Sequence, residues 1–431
     1  MVETKENNTK WLGKIPSTWE LKKIKYILGN RTENNNPIRS KDILSLTAKQ
    51  GVIPLSEKEG GGNKPKEDYS AYRLAYPNDI VMNSMNILSG SVGLSKYFGC
   101  VSPVYYMLYP LSDTDDVRFY HYIFQTKMFQ NSLLGLGNGI LMKESGNGKF
   151  NTIRMRISID TLGNLYLPRP NSQQQKKIAD FLDNKCAEID TISAEIQEQI
   201  ETLEEYKRSV ITEAVTKGLN PNAEMKDSGI EWVGEIPIDW DIHPLYHYFS
   251  ERKNKNRLGK EQNLLSLSYG KIIRKDINTN GGLLPENFNS YNIVEQNDII
   301  IRPTDLQNDK RSLRTGLAEE HGIITSAYID LKPNEGTNSR YFHYLLHSYD
   351  IQKVFYNMGN GVRQGLNYSE FSKLMVIEPS ESEQNKIANY LDSKCAEIDG
   401  AVKDKQKQLE TLEEYKKTLI YEYVTGKKEV V

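Results

Sequence analysis

The sequence predicts an α+β fold in which two globular, mixed α/β domains are joined by two long helices that form an antiparallel coiled coil. Three observations support this prediction. The second half of the chain repeats the first, each half ends in a long stretch with apolar residues at heptad spacing, and short strand-like runs alternate with aromatic helical segments before each stretch. We therefore expect an internal repeat with pseudo-twofold symmetry.

The repeat is defined by motifs that recur nearly unchanged. WLGKIPSTW at 11–19 returns as WVGEIPIDW at 232–240, an offset of 221 residues. KKIADFLDNKCAEID at 176–190 returns as NKIANYLDSKCAEID at 385–399, and ETLEEYK at 201–207 returns at 410–416, both at an offset of 209. The difference, 221 − 209 = 12, is the net excess of residues in the first copy. The sequence therefore predicts a first variable domain at 11–170, a first long helix at 171–219, a second variable domain at 230–378 and a second long helix at 379–428.

The two repeated tails have the spacing of a helix–helix seam. Apolar residues recur mostly every seven positions, and we predict that they form the seam: Leu182, Ile189, Ile196, Leu203 and Val210 in the first tail, and Leu391, Ile398, Leu412 and Leu419 in the second. The companion positions carry Ile178, Ile192, Tyr206, Ile387, Ala401 and Tyr415. Gly218 is expected to end the first helix. Because one such stripe cannot bury itself, its simplest partner is the other tail.

The regions before the tails are predicted to mix strands and helices. The runs IVMNSM, VYYMLYP, IIIRP and LYLPRP are rich in β-branched and aromatic residues and are bounded by turn formers, which favours strands. Residues 117–134 and 339–358 carry aromatics at three- and four-residue spacing, which favours helices. Each variable region has the length of a single domain.

Composition excludes several classes of protein. The 431 residues include 55 Lys and Arg against 57 Asp and Glu, a net charge of −2, so the chain is not a uniformly basic nucleic-acid binder. A basic face balanced by acidic elements elsewhere stays allowed. The sequence has no apolar run of transmembrane length and no secretory signal, and Cys100, Cys186 and Cys395 are isolated. We expect a cytoplasmic protein without a disulfide framework and without membrane contact.

The sequence contains none of the catalytic motifs that we searched for. There is no Walker loop, and the Asn-Pro-Pro-aromatic and Asp-Pro-Pro-Tyr motifs of amino-methyltransferases are absent. The glycine clusters are interpreted as turns. His243 and His247, and likewise His343 and His347, are four residues apart, but neither pair has the glutamate of a zinc-peptidase motif. The sequence therefore predicts no catalytic residue, no metal site and no cofactor in this chain.

What remains is a set of basic and amide side chains at related positions in the two copies. Arg reads guanine, Asn and Gln read adenine in the major groove, and Lys holds phosphates, so such loops favour DNA binding. The candidates in the first copy are Arg31, Arg39, Asn83, Asn86, Lys143, Lys149 and Arg154. Those in the second are Arg252, Lys253, Arg257, Lys271, Arg274, Arg302, Arg311, Arg314, Arg363 and Gln364. For any one residue, a solvated surface position is the alternative.

Two other functions stay open at this point. The chain could be a structural coiled-coil adaptor whose variable heads bind proteins, or an enzyme with a cryptic site. The loop chemistry favours DNA over the first alternative, and the missing motifs argue against the second.

The W-x-G-x-I-P-x-x-W opening, the KIA-x-x-LD-x-KCAEID block and the LEEYK segment resemble the specificity subunit of Type I DNA restriction–modification enzymes, over residues 11–428. The resemblance implies that each variable region is a target recognition domain that reads one half of an asymmetric, bipartite site in double-stranded DNA. It implies that the helices set the spacing of the half-sites, here expected to be about one helical turn, roughly 34 Å. It also implies that the chain is not catalytic. Two methyltransferase subunits and two restriction (translocase) subunits would be its partners, and S-adenosylmethionine, ATP and Mg would belong to them.

Overall fold

The computed structural model describes residues 3–7, 9, 11–47, 50–58, 65, 67–139, 155–277, 285, 287–304, 313–358 and 365–430. The chain divides into two compact units. Unit 1 comprises Met1–Ile196 and Lys407–Val431, and unit 2 comprises Gln197–Gln406. Each unit therefore contains one variable region and parts of both long helices.

The α-helices of the described residues are two long ones and five short ones. The long helices are α4 (Ser172–Lys217) and α7 (Glu381–Val424). The short helices are α1 (Val117–Gln125), α2 (Lys127–Ser132), α3 (Ile159–Gly163), α5 (Ser339–Ile351) and α6 (Tyr368–Phe371). Single 3₁₀ turns occupy Ile24–Tyr26, Leu55–Glu57, Tyr69–Ala71, Ile87–Ser89, Leu245–His247 and Val354–Asn357.

Unit 1 is built on a four-stranded antiparallel sheet in the order β4–β11–β8–β9, with two-stranded ladders around it. Its strands are β1 (Thr4–Lys5), β2 (Ile15–Pro16), β3 (Glu20–Lys23), β4 (Leu28–Arg31), β5 (Leu44–Thr47), β6 (Gly51–Pro54), β7 (Arg73–Ala75), β8 (Ile80–Asn83), β9 (Val92–Leu94), β10 (Gly99–Val101), β11 (Tyr105–Pro110), β12 (Asn138–Gly139), β13 (Met155–Arg156) and β14 (Tyr166–Arg169).

Unit 2 repeats this arrangement with the antiparallel order β18–β25–β22–β23. Its strands are β15 (Met225–Asp227), β16 (Glu235–Pro237), β17 (Asp241–Pro244), β18 (Phe249–Glu251), β19 (Leu265–Ser268), β20 (Lys271–Arg274), β21 (Asn292–Val294), β22 (Ile299–Ile301), β23 (Thr315–Leu317), β24 (Gly322–Ile324), β25 (Ile329–Pro333) and β26 (Met375–Glu378). The ladders β14–β3, β10–β7, β5–β6 and β1–β2 of unit 1 have counterparts in β26–β17, β24–β21, β19–β20 and β16–β15.

The two long helices run antiparallel where they pair inside each unit. In unit 1, Lys416 Nζ contacts Asp190 Oδ1 at 2.6 Å, and the rings of Phe181 and Tyr423 are 4.5 Å apart. The contact nearer the N-terminus of α4 therefore involves the residue nearer the C-terminus of α7, which is the order expected of antiparallel helices. In unit 2, Lys207 Nζ lies 2.6 Å from Asp399 Oδ1, and Lys405 Nζ donates to Gln199 Oε1. The predicted antiparallel pairing is therefore confirmed by contacts in both units.

Most of the predicted seam residues are buried, but the companion positions are not uniform. Leu182, Ile189, Ile196, Val210, Leu391, Ile398 and Leu419 are buried, and Leu203 and Leu412 are half-buried. Ile192, Tyr206 and Tyr415 are exposed, so placing them at buried companion positions was wrong. Towards its C-terminal end, α4 instead buries Ile211, Ala214 and Val215 in the core of unit 2. Domain packing therefore changes the buried face of the helix there.

The W-x-G-x-I-P-x-x-W segment of each unit packs beside a long helix. In unit 1, Lys427 Nζ, just after α7, donates to the carbonyl of Leu12 at 2.9 Å. In unit 2, the indole of Trp240 donates to Glu383 Oε2 near the start of α7 at 3.0 Å. Gly218 follows α4 with a φ of +75°, which confirms the predicted helix end.

The short helices differ from the predicted segments in one respect. The segment 117–134 divides into α1 and α2 at Thr126, whose hydroxyl accepts a hydrogen bond from Phe129 N and caps the second helix. The segment 339–358 ends its α-helix at Ile351 and continues as a 3₁₀ turn. Local capping therefore interrupts a periodicity that continues in the sequence.

Candidate DNA-recognition surfaces

Arg31, predicted to contact DNA, forms a structural ion pair in unit 1. Its guanidinium donates to both oxygens of buried Asp79, at 3.0 and 3.2 Å, and stacks 4.3 Å from the Tyr76 ring centroid. The pKa of Arg31 is raised, chiefly by the hydrogen bond to Asp79. Asp79 also accepts from the Tyr76 backbone N–H at 2.9 Å. Two of the five N–H groups of this guanidinium are therefore committed to a buried carboxylate, while 28% of the side chain stays exposed.

Arg252 makes the same pair in unit 2. It donates to Asp298 at 2.6 and 3.0 Å, and Asp298 accepts the backbone N–H of Glu295 at 2.8 Å. Hydrogen bonding to Asp298 raises the pKa of Arg252. In unit 1 the Arg–Asp pair joins the end of β4 to the turn before β8. In unit 2 the equivalent pair joins the end of β18 to the turn before β22. Arg31 and Arg252 therefore have a structural role in the scaffold, and their contact with DNA stays a prediction.

Arg314, a third residue predicted to contact DNA, is buried in the interior of unit 2. Its surface is 0% exposed, and its Nη1 donates to the carbonyl of Thr304 at 2.6 Å. Its backbone N–H donates to buried Asp350. Because no part of the side chain reaches the surface, we reassign Arg314 to the interior of unit 2. The backbone of Arg302 donates to the Arg314 carbonyl at 2.8 Å, and the Arg302 side chain is partly exposed.

The remaining described candidates are at the surface, most of them beside a carboxylate. Arg39 pairs with Glu33, Lys253 with Glu251 at 2.8 Å, Lys271 with Asp399 at 3.2 Å and Arg274 with Glu320 at 2.7 Å, while Arg257 is exposed. Exposed pairs of this kind are weak, so these cations can exchange a carboxylate for a phosphate at low cost.

The amide candidates of unit 1 lie around one turn. Asn83 Oδ1 accepts from the Met85 backbone N–H at 3.0 Å, and Asn86 is exposed just before the 3₁₀ turn at Ile87–Ser89. Asn86 is therefore the better placed of the two for a base contact. Six candidates, Lys143, Lys149, Arg154, Arg311, Arg363 and Gln364, lie outside the described residues, and their assignments stay predictions.

The histidine pairs show no metal-like arrangement. His343 and His347 have ring centroids 6.1 Å apart, and burial lowers their pKa values to about 4 and about 3. His243 and His247 stack at 4.8 Å. In the part of the chain that the structure describes, no group of three or more His, Cys, Asp or Glu residues is arranged to hold a metal ion. The three cysteines are free and buried.

Asp330 distinguishes the interior of unit 2 from that of unit 1. Strand pairing places it on β25 opposite Ile300, whereas Met107 stands opposite Val81 at the matching position of β11. Met107 lies in a small apolar cluster. Asp330 is buried and neither oxygen has a hydrogen-bond partner among the described residues, although Arg252 lies 3.9 Å away. Burial first, and then the charge of Asp298, raise the pKa of Asp330.

Both variable regions are fixed to a long helix by matching contacts. In unit 1, Arg118 of α1 donates to Asp183 of α4 at 2.7 Å, and the Tyr122 hydroxyl donates to the same carboxylate at 2.7 Å. In unit 2, Arg340 of α5 pairs with Asp392 of α7, and the Tyr344 hydroxyl donates to Asp392 at 2.8 Å. The recognition candidates are therefore carried on a scaffold that is duplicated down to individual side chains.

Comparison with known proteins shows which proteins this chain is similar to. Residues 16–202 match the family model of the Type I restriction modification DNA specificity domain. The type I restriction enzyme MjaX specificity subunit of Methanocaldococcus jannaschii is 23% identical over 98% of this chain and 97% of its own length. The MjaVIII specificity subunit of the same organism is 26% identical over 61% of this chain and 62% of its own length.

By these comparisons the chain is similar to Type I restriction enzyme specificity subunits over nearly its whole length. The fold is similar as well: a chain solved in work on complex assembly and conformational transition of the type I R-M system superposes with a TM-score of 0.69, at 10% identity, over 95% of this chain and 98% of that one. None of the helices in the described part of this chain could cross a membrane.

Sequence reasoning missed one prominent surface residue of unit 2. Tyr269 is 86% exposed, the most exposed of the large hydrophobic side chains among the described residues. The signal was present in the sequence, because Leu265–Ser268 and Lys271–Arg274 flank a Tyr-Gly dipeptide of hairpin-turn length. The search had considered only basic and amide residues.

Proposed function

We propose that this chain is the DNA sequence-specificity subunit of a Type I restriction–modification complex, and that each unit reads one half of an asymmetric, bipartite site. The observation that carries the proposal is a scaffold repeated in both units with different exposed chemistry. The Arg–Asp pairs recur, at Arg31–Asp79 and Arg252–Asp298. The surface hairpins β5–β6 and β19–β20 differ in turn length.

The repeated parts suit identical protein partners, and the divergent parts suit a site whose halves differ. A duplicated surface presents equivalent positions to two copies of one subunit. We infer two methyltransferase subunits and two restriction (translocase) subunits as partners. In this proposal the methyltransferase and restriction subunits bind S-adenosylmethionine, ATP and Mg, the present chain has no catalytic role, and the complex works in the cytoplasm. The half-site centres would be about one helical turn apart, roughly 34 Å.

The DNA-facing set of the proposal is narrower than the sequence-based one. It retains the surface residues Arg39, Asn86, Lys253, Arg257, Lys271, Arg274 and Arg302 as candidates. It omits Arg31 and Arg252, which pair with buried carboxylates, Arg314, which is fully buried, and Asn83, whose Oδ1 accepts the Met85 backbone N–H. Surface cations hold phosphates and position the protein, whereas amide and aromatic groups near them read bases.

The test is to express the chain with its methyltransferase subunit and measure protection of DNA that carries the methylated site mapped in cells containing the full system. We expect protection of two short half-sites separated by a fixed gap. Binding that is equally tight to a duplex with both half-sites scrambled would contradict the proposal. Scrambled-site binding together with stable capture of another protein by the variable regions would favour the coiled-coil adaptor instead.

A further inference from the structure

Tyr269 forms the first residue of the two-residue turn in the β19–β20 hairpin of unit 2. The register pairs Ser268 with Lys271, so only Tyr269 and Gly270 connect the strands. Their φ angles are +48° and +78°. Turns of this type favour Asn followed by Gly, because a bulky side chain at positive φ is strained. The tyrosine is therefore held at a cost to folding.

The turn is fixed in place although its aromatic ring is not. A Cβ on Gly270 would lie 3.1 Å from Leu313 Cδ1 and 3.5 Å from His347 Cε1, so the backbone packs closely here. On the other side of the turn, Lys271 Nζ lies 3.2 Å from Asp399 Oδ2 on α7. The ring of Tyr269 is left in solvent on an anchored backbone. An exposed group on a fixed backbone is preorganised for binding.

Positive charge surrounds the hairpin. Lys271 and Arg274 follow the turn on β20 and are each more than 70% exposed. Lys207 on α4 lies close to the hairpin as well, because its Nζ is 2.6 Å from Oδ1 of Asp399, the carboxylate that Lys271 also contacts. Asp399, the carboxylate beside the turn, is already shared by Lys207 and Lys271. An aromatic ring among cations suits duplex DNA, because the ring can make apolar contact with base edges such as the thymine methyl group while the cations hold the phosphates.

The turn differs between the two units. In unit 1 the strands β5 and β6 pair Thr47 with Gly51, which leaves three residues between them, and Thr47 Oγ1 accepts from the Gln50 backbone N–H at 3.0 Å. A partner that binds both units alike would use features present in both. A feature present in unit 2 alone suits the ligand whose two halves differ, which is the DNA site.

We propose that Tyr269 is a specificity-determining residue whose ring contacts bases of the half-site read by unit 2. This inference rests on the proposed function. It separates folding from binding, because Asn at position 269 would favour the turn whereas Tyr at this position favours binding to DNA. Tyr269→Asn should leave the chain at least as stable as before, because Asn-Gly is the preferred dipeptide for this turn, while it weakens binding to DNA.

The experiment uses the full chain co-purified with its methyltransferase subunit. The probes are a duplex carrying the mapped methylated site and two duplexes in which one half-site each is scrambled. We expect Tyr269→Asn to weaken binding to the intact site about tenfold, with no drop in melting temperature. Tyr269→Phe, which keeps the ring, should bind within about twofold of wild type. The matched control is Tyr246→Asn, since Tyr246 is also exposed in unit 2, at 57%, and it should bind like wild type.

Three results would overturn the inference. Tyr269→Asn could bind the intact site as tightly as wild type, Tyr269→Phe could bind as weakly as Tyr269→Asn, or Tyr269→Asn could lose the methyltransferase subunit on size exclusion, which would make the tip a protein contact. None of these contradicts the proposed function. That proposal fails on a separate observation, equal binding of the wild-type complex to intact and scrambled duplexes.

Discussion

The two units have an apolar and an acidic side chain, respectively, at equivalent positions of corresponding strands, β11 in unit 1 and β25 in unit 2. At the matching position of the central sheet, unit 1 has Met107 in an apolar cluster, and unit 2 has Asp330 buried without a hydrogen-bond partner among the described residues. The neighbouring Arg–Asp pair is the same in both, at Arg31–Asp79 and Arg252–Asp298. The comparison teaches that the frame of the repeat tolerates change in its interior as well as at its surface, provided that the pair joining the strands is retained.

The largest expected effect concerns the part in which the units agree. Leu182 and Leu391 occupy the same position of the repeated block, and both are fully buried. Leu182→Ala and Leu391→Ala should each lower the free energy of unfolding by about 2–5 kcal/mol, because each leaves a cavity beside the paired helices. Chemical denaturation followed by circular dichroism measures the loss.

The matched control for the helix pair is Ile192→Ala, since Ile192 lies on the same helix but is 44% exposed. It should cost less than about 1 kcal/mol. Equal losses for Ile192→Ala and Leu182→Ala would contradict the seam that we describe.

The second prediction concerns the Arg–Asp ion pair that occurs in both units. Asp79→Ala should destabilise unit 1 by about 3–5 kcal/mol, because it leaves Arg31 with a partly buried, uncompensated charge. Asp298→Ala should cost at least about 1 kcal/mol less in unit 2, because Asp330 lies 3.9 Å from Arg252 and can take over as its partner. Hydrogen exchange of β8 and β22 amides reports the two units separately. A larger loss at β22 would contradict the compensation.

The third prediction is a pH-dependent contribution of Asp330 to the stability of unit 2, at a position where unit 1 has Met107, which does not titrate. The pKa of Asp330 is raised in the folded chain, so the folded state retains a proton that the unfolded state releases above about pH 4. The contribution of Asp330 should therefore fall as the pH rises from about 4 towards the raised pKa, whereas the lowered pKa values of buried His343 and His347 act in the opposite direction up to about pH 6.5. Asp330→Asn should remove this fall and be more stable than wild type at the upper end of the range.

Hydrogen exchange at several pH values, corrected for intrinsic exchange rates, gives the opening free energy of each unit. Unit 1, with Met107, serves as the internal control in the same sample. The prediction fails if the Asp330→Asn variant and the wild type show parallel pH profiles in unit 2.

The smallest effects are expected at the exposed cations. Arg274→Ala should reduce the slope of log K against log salt for DNA binding by about one unit, because one phosphate contact is lost. It should leave the melting temperature unchanged, since the pair with Glu320 is exposed. Arg39→Ala offers the same measurement in unit 1. An unchanged salt slope in either variant would remove that residue from the DNA-facing set.

The duplication and the two long helices could be predicted from the sequence because both produce local or periodic patterns of residues. The recurrence of the KCAEID block at an offset of 209 gives the duplication, and the heptad spacing of Leu182 and Ile189 gives the helices. That the two tails pair followed from the need to bury both stripes, and the antiparallel direction was expected if the chain builds a domain between the tails and the two domains lie at opposite ends. Lys416 near Asp190 confirms it within unit 1.

The site residues were harder to predict because exposure depends on contacts distant in sequence. Arg31 and Asp79 are 48 residues apart, and nothing near Arg31 shows that a buried carboxylate will occupy its guanidinium. Tyr206 and Tyr415 follow the heptad pattern but are exposed, since domain packing, not the heptad, decides which face is buried there. Tyr269 was missed because the search considered only basic and amide residues, although the Tyr-Gly dipeptide between Leu265–Ser268 and Lys271–Arg274 has the length of a hairpin turn.

The central claim is that each unit reads its own half of the site, and one chimaera tests it directly. Residues 241–378 would be replaced by residues 20–169, so that both units carry the same recognition surface between unchanged long helices. Mapping methylated bases in cells that express this chain with its methyltransferase subunit should reveal a site whose halves are inverted repeats. Methylation of the original asymmetric site by the chimaera would contradict the account.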